Sequence, residues 1–146
     1  MEEERIKKFP VYFNNIDLPE CAKEQELVVF RACASGKVDR DSFLNSYEEN
    51  GFRVSAGGEE DDPAEYSLST YRKFRDVRRF MTMTSKFHVP FKIAKGVTNP
   101  ECGVCAETRE WRPSGGKKSK SSHVDYWLYE GAQPWLDFEL YNEEKG

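Results

Sequence analysis

The chain has 146 residues, of which 38% are hydrophobic and 14% aromatic, with a formal net charge of −4 and a pI near 5.4. That length suits one domain able to bury one core, and the acidic balance argues against a general nucleic-acid binder, whose phosphate partner needs a basic footprint. No apolar run reaches the roughly 18–20 residues that span a bilayer, and the charged start, "MEEERIKKFP", lacks the apolar stretch of a secretory signal.

A cytoplasmic location follows as the expectation, with the four cysteines as thiols rather than disulfides. Residues 1–16 carry two prolines' worth of irregularity with the segment that follows, and read as an extended lead-in. "QELVVFRACAS", 25–35, has a β-branched and aromatic centre before Gly36 and reads as a buried strand. In "KVDRDSFLNSYEENG", Asp39 or Asp41 is placed to cap a short helix in which Phe43, Leu44 and Tyr47 share a face and Gly51 ends the run.

Residues 52–65 are rich in glycine and acids and read as a flexible loop. "YSLST", 66–70, reads as a short strand whose Ser69 or Thr70 caps the clearest helix, "YRKFRDVRRFMTM". "VPFKIAKGVT" alternates as a strand, and so does "GVCAETREW", with Val104, Ala106 and Thr108 on one side. Residues 112–122 read as a second flexible loop. "HVDYWLYE", the turn "GAQP" and "WLDFELY" close the chain. Helices fall between early strands and strands dominate the second half, which predicts one α+β domain with a mostly antiparallel sheet and two or three helices.

In "HVDYWLYE", period two puts His123, Asp125, Trp127 and Tyr129 on one face and Val124, Tyr126 and Leu128 on the other. The first set is either a ligand-facing cluster with a group titrating near neutrality, or a pair of rings packed under a helix with His123 at an exposed strand end. Cys102 and Cys105 form C-x-x-C, but a zinc site needs two more donors and no second paired spacing exists. No metal site is assigned, and zinc is not the expected cofactor. A redox role needs the motif to open a helix after a strand, whereas strand-like residues follow it here.

Arg31 interrupts the apolar run "LVVFRACA". A buried arginine is costly unless paired, so this one either points outward or binds something anionic. With the hydroxyl-bearing strand "YSLST" running into a helix some thirty-five residues later, the chain resembles ADP-ribosyltransferases of the arginine–serine–glutamate type. That family has an arginine on its first core strand, a Ser-Thr-Ser-like strand leading into a helix and a glutamate on a late strand, and it binds NAD in a cleft of a split antiparallel sheet.

The resemblance implies Arg31 on the nicotinamide-side phosphate of NAD, with Ser67, Ser69 or Thr70 serving on the nicotinamide-site strand and Trp127 among the cofactor-binding side chains. The late acid would be Glu130 or Glu139, or His123 would stand in its place. Here "SLST" departs from Ser-Thr-Ser and no Glu-x-Glu or Gln-x-Glu occurs near the end. The other reading from the residues is a non-catalytic accessory domain that binds a protein through Trp111, Trp127, Trp135 and charged patches. The basic helix carrying Arg72, Lys73, Arg75, Arg78 and Arg79 is either a solvated face or a site for an anionic partner.

Overall fold

A computed structural model describes residues 7–13, 16–54, 57–83, 92–112 and 121–141. Six strands form one antiparallel sheet: β1 Val28–Cys33, β2 Leu68–Tyr71, β3 Lys92–Val97, β4 Gly103–Glu107, β5 His123–Leu128 and β6 Phe138–Leu140. They lie in the order β4-β5-β2-β1-β3-β6. Three α-helices accompany them among the described residues: α1 Ser46–Glu49, α2 Phe74–Met83 and α3 Thr108–Trp111. The chain is thus an α+β domain built on an antiparallel sheet, as its element order predicts.

Register fixes the two faces. Phe30 lies opposite Tyr71, and Tyr71 opposite His123. Successive residues of a strand alternate faces. Phe30, Ala32 and Tyr71 therefore share a face with His123, and Val77 of α2 packs on them. Further along that face, Trp127 and Ala106 meet Phe13 and Tyr66. The opposite face carries Val29, Cys33, Leu68, Val124 and Tyr126, covered by Phe43 and Phe138. All strands but one pair join over three or more registered residues; β1 meets β2 at the single pair Phe30↔Tyr71. That seam carries the shortest ladder in the sheet. Two glycines serve close approach: a Cβ on Gly103 would collide with the Trp127 carbonyl, and one on Gly96 with Asp137 and Phe138.

Several local expectations are corrected. The lead-in is not extended throughout, since Val11–Phe13 form a 3-10 turn. The helix expected near 39–51 is two pieces. Asp39 caps a 3-10 turn at Arg40–Ser42, and Asn45 starts α1 through a capping box with Glu48. Within 52–65, Asp62 and Pro63 open a 3-10 turn at Pro63–Tyr66. The strand expected through Trp111 stops at Glu107, because Thr108 and Trp111 turn back to hydrogen-bond Asp125. Most of the expected loop 112–122 lies outside the described residues.

Candidate functional site

Arg31 and His123 sit on opposite faces of the sheet, since Arg31 adjoins Phe30, the residue whose register leads through Tyr71 to His123. Arg31 is 7% exposed. Its Nε donates to the Ser42 carbonyl at 2.9 Å, Nη1 to the Ser69 carbonyl at 2.9 Å, and Nη2 to the Leu44 carbonyl at 3.3 Å. Glu49 lies 3.6 Å from Nη2. Burial pulls the guanidinium pKa down, and the Glu49 carboxylate works against that pull. The fork spans the short β1–β2 seam: it bonds a β2 carbonyl and ties the 42–44 segment to the sheet. An arginine so engaged is a brace, and its donors face protein carbonyls.

On the other face Asp125 is the hub of a buried network. Ser67 Oγ donates to its Oδ1 at 2.6 Å; Thr108 Oγ1 and Trp111 Nε1 donate to its Oδ2 at 2.6 and 3.1 Å. Thr108 Oγ1 also lies 2.5 Å from His123 Nδ1. Thr108 has one hydroxyl proton. Given to the carboxylate, it leaves the hydroxyl oxygen to accept from the ring, which places a proton on His123 Nδ1. The sequence Asp125–Thr108–His123 has the form of a carboxylate–hydroxyl–imidazole relay. His123 and Asp125 are each 1% exposed, however, and the His123 ring stands edge-on to Tyr71 at 5.2 Å. Burial pushes the Tyr71 phenol up to about 12, with Arg31 opposing.

The remaining sequence-singled residues divide in the same way. Ser67 belongs to the Asp125 network, and Ser69 lends its carbonyl to Arg31. Thr70 is buried on Arg31's side of the sheet and donates to the Val124 carbonyl at 3.0 Å. Trp127 is fully buried; its indole donates to the Pro63 carbonyl at 2.9 Å and packs near Trp111. Glu139 is exposed on the outer strand β6. Ser67, His123, Asp125 and Trp127 are thus brought together. Arg31, on the opposite face, and Glu139, on the outer strand β6, are not brought to them. Thr108 reads from sequence only as a strand residue, because its role depends on the turn after β4, and no strand or helix period signals that turn.

A pocket of about 260 Å³ opens where β5 ends, walled by Tyr12, Phe43 and Trp135 and carrying Arg40, Glu48 and Glu130. Phe43 stands on Phe138 and near Trp135, with ring centroids 5.0 and 6.5 Å away. The backbone on either side of Phe43 is the segment that Arg31 grips, so the brace holds this wall from behind. The Asn45 amide donates to the Tyr12 hydroxyl at 3.0 Å and fixes another. Glu130 is half-exposed and lies 3.4 Å from Lys8. Val11 and Leu136, neighbours in sequence of two wall residues, are 84% and 72% exposed.

Cys102 and Cys105 are buried in the core with Tyr126, and burial pushes the Cys105 thiol up. No cluster of three or more metal-binding side chains occurs among the described residues. No helix among them is long and apolar enough to cross a membrane. No family model, curated protein or solved structure matches the chain.

Proposed function

We propose that the chain is a non-catalytic protein-binding domain whose aromatic pocket at the end of β5 receives one large side chain of a partner. The pocket's size carries this reading. About 260 Å³ falls below the roughly 300–1,000 Å³ of small-molecule and cofactor sites, yet suits a single ring or long aliphatic chain. Tryptophan and tyrosine walls with a charged rim are the composition of an interface anchor point, and exposed Val11 and Leu136 extend apolar surface beside it. The four thiols suit a reducing compartment, and the proposal places the protein in the cytoplasm.

A second reading keeps a specific observation of its own. The one-pair β1–β2 ladder would suit the split antiparallel sheet of ADP-ribosyltransferases, and Glu130 lines the pocket. An NAD site there requires Arg31 to give up three carbonyls, or Arg40 to take the phosphate in its place. Selection from a random peptide library separates the two readings. The first expects bound peptides to share an aromatic or long aliphatic anchor, with binding about thirtyfold weaker for Trp135→Ala of unchanged circular dichroism. NAD should then leave tryptophan fluorescence unchanged. A saturable NAD-dependent change that Trp135→Ala abolishes, with no peptide enriched, would replace the first reading by the second.

A further inference from the structure

Helix α2 sets its charges against its own stability. Arg72 and Lys73 precede its first residue and Arg75 lies in its first turn, while no cation stands in its last turn. Cations at the positive end of a helix dipole are unfavourable. Arg75 and Arg79 are four apart, and Arg72, Arg75 and Arg78 follow at intervals of three, so like charges face one another along the helix. All five cations are exposed. The single acid of the segment, Asp76, lies in the first turn and attracts Arg75 and Arg79, but its carboxylate is bonded to the Ser122 hydroxyl and amide at 2.6 and 3.0 Å and one charge cannot offset five. No ion pair joins Arg72, Lys73, Arg75 or Arg79 to an acid among the described residues.

A surface that carries such charge at a cost to its own helix has a use outside the fold. We infer that the outer face of α2 is a docking surface for a short acidic segment of a partner protein, separate from the pocket at the end of β5. The extent of the patch favours a short segment. Arg72 to Arg79 spans seven residues, about 10 Å of helix, which matches a few carboxylates. A long polyanion such as nucleic acid would overrun the patch and meet the rest of a chain whose net charge is −4, with Glu59, Glu60 and Asp61 exposed.

The experiment is fluorescence anisotropy of the full chain with a labelled twelve-residue Asp/Glu-rich peptide. Single-stranded and duplex oligonucleotides of equal charge serve as competitors. Saturable peptide binding is expected at low salt, falling about tenfold or more between 50 and 200 mM. The double variant Arg75→Gln/Arg79→Gln should bind about five- to tenfold more weakly; made in an Asp76→Asn background, where no carboxylate attracts the two cations, it should melt at or above Asp76→Asn, since it sheds like-charge repulsion. A lower melting temperature would assign those cations to the fold and overturn the inference. So would peptide binding that the variant leaves intact, or no binding at all. Tighter binding of an oligonucleotide would transfer the surface to nucleic acid. A parent dimer lost in Glu59→Gln/Glu60→Gln/Asp61→Asn would transfer it to a second copy.

Discussion

The two faces of the sheet solve one problem by different means. Each buries an ionisable side chain near the centre: Arg31 on one side, Asp125 on the other. Arg31 is satisfied chiefly by main-chain carbonyls, those of Ser42, Leu44 and Ser69. Asp125 is satisfied by side chains, those of Ser67, Thr108 and Trp111. The difference shows what each group holds. A guanidinium bonded to carbonyls from two segments supports backbone, here β2 beside its short ladder with β1 and the wall of the pocket. A carboxylate gathering side-chain donors ties finished elements together: α3 and the approach to β2 onto β5.

The sharpest way to break this comparison is to remove the arginine. Arg31→Ala leaves one buried and two partly buried carbonyls without this donor and Glu49 without its cation, and an unsatisfied buried group costs about 1–3 kcal/mol. A loss of about 3–6 kcal/mol is expected, a large part of the 5–15 kcal/mol typical of a domain, read from urea unfolding followed by tryptophan fluorescence. Arg31→Lys should recover less than half of it, because one ammonium cannot span three acceptors in a fork. If Arg31→Ala costs under about 1 kcal/mol, Arg31 is not a brace, and a ligand role for its guanidinium becomes the better account.

Asp125→Asn tests the other face. The amide presents a donor to at least one of three incoming donors, so a smaller cost of about 2–3 kcal/mol is expected. Thr108→Val should cost about 1–2 kcal/mol. The double variant should lose less than the sum of the two, since both remove the same bond. Additive losses would show that Thr108 and Asp125 act independently and that His123 is not linked to the carboxylate through the hydroxyl.

The unequal legibility of the two faces has a physical basis. Alternation in "HVDYW" identified which side chains share a face, because strand period is a local property, and His123, Asp125 and Trp127 do share one. Arg31 stood out as a charge in an apolar strand, a setting that left it either pointing outward or holding an anion. It is buried instead, chiefly on main-chain carbonyls, which every residue has and no sequence pattern marks. The pocket was equally hidden. Tyr12, Phe43 and Trp135 are far apart in the chain and meet only through the sheet order. Of the late acids weighed from sequence, Glu130 reaches the pocket because β5 ends there, whereas Glu139 lies on an outer strand.

The smallest expected effect concerns the join between α2 and the start of β5, at the margin of the Asp125 face. Burial pushes the Asp76 pKa upward, but the Ser122 hydroxyl and amide, with Arg75 and Arg79, outweigh it and hold the carboxyl below its ordinary value of 3.8. A carboxyl held low in the fold binds fewer protons there than in the unfolded chain. Its contribution is therefore fully present above the ordinary value and is lost as pH falls through the lowered one. Asp76→Asn should cost about 1 kcal/mol near neutrality, discounted for its setting at the protein margin. Melting temperatures of parent and variant, measured from pH 7 to pH 2, should converge at the acid end. Arg75→Gln/Arg79→Gln should move the parent's acid limb to higher pH by withdrawing two charges that favour the carboxylate. Parallel curves for parent and Asp76→Asn across the whole range would mean that Ser122 holds α2 by packing alone, with the charge of Asp76 contributing nothing.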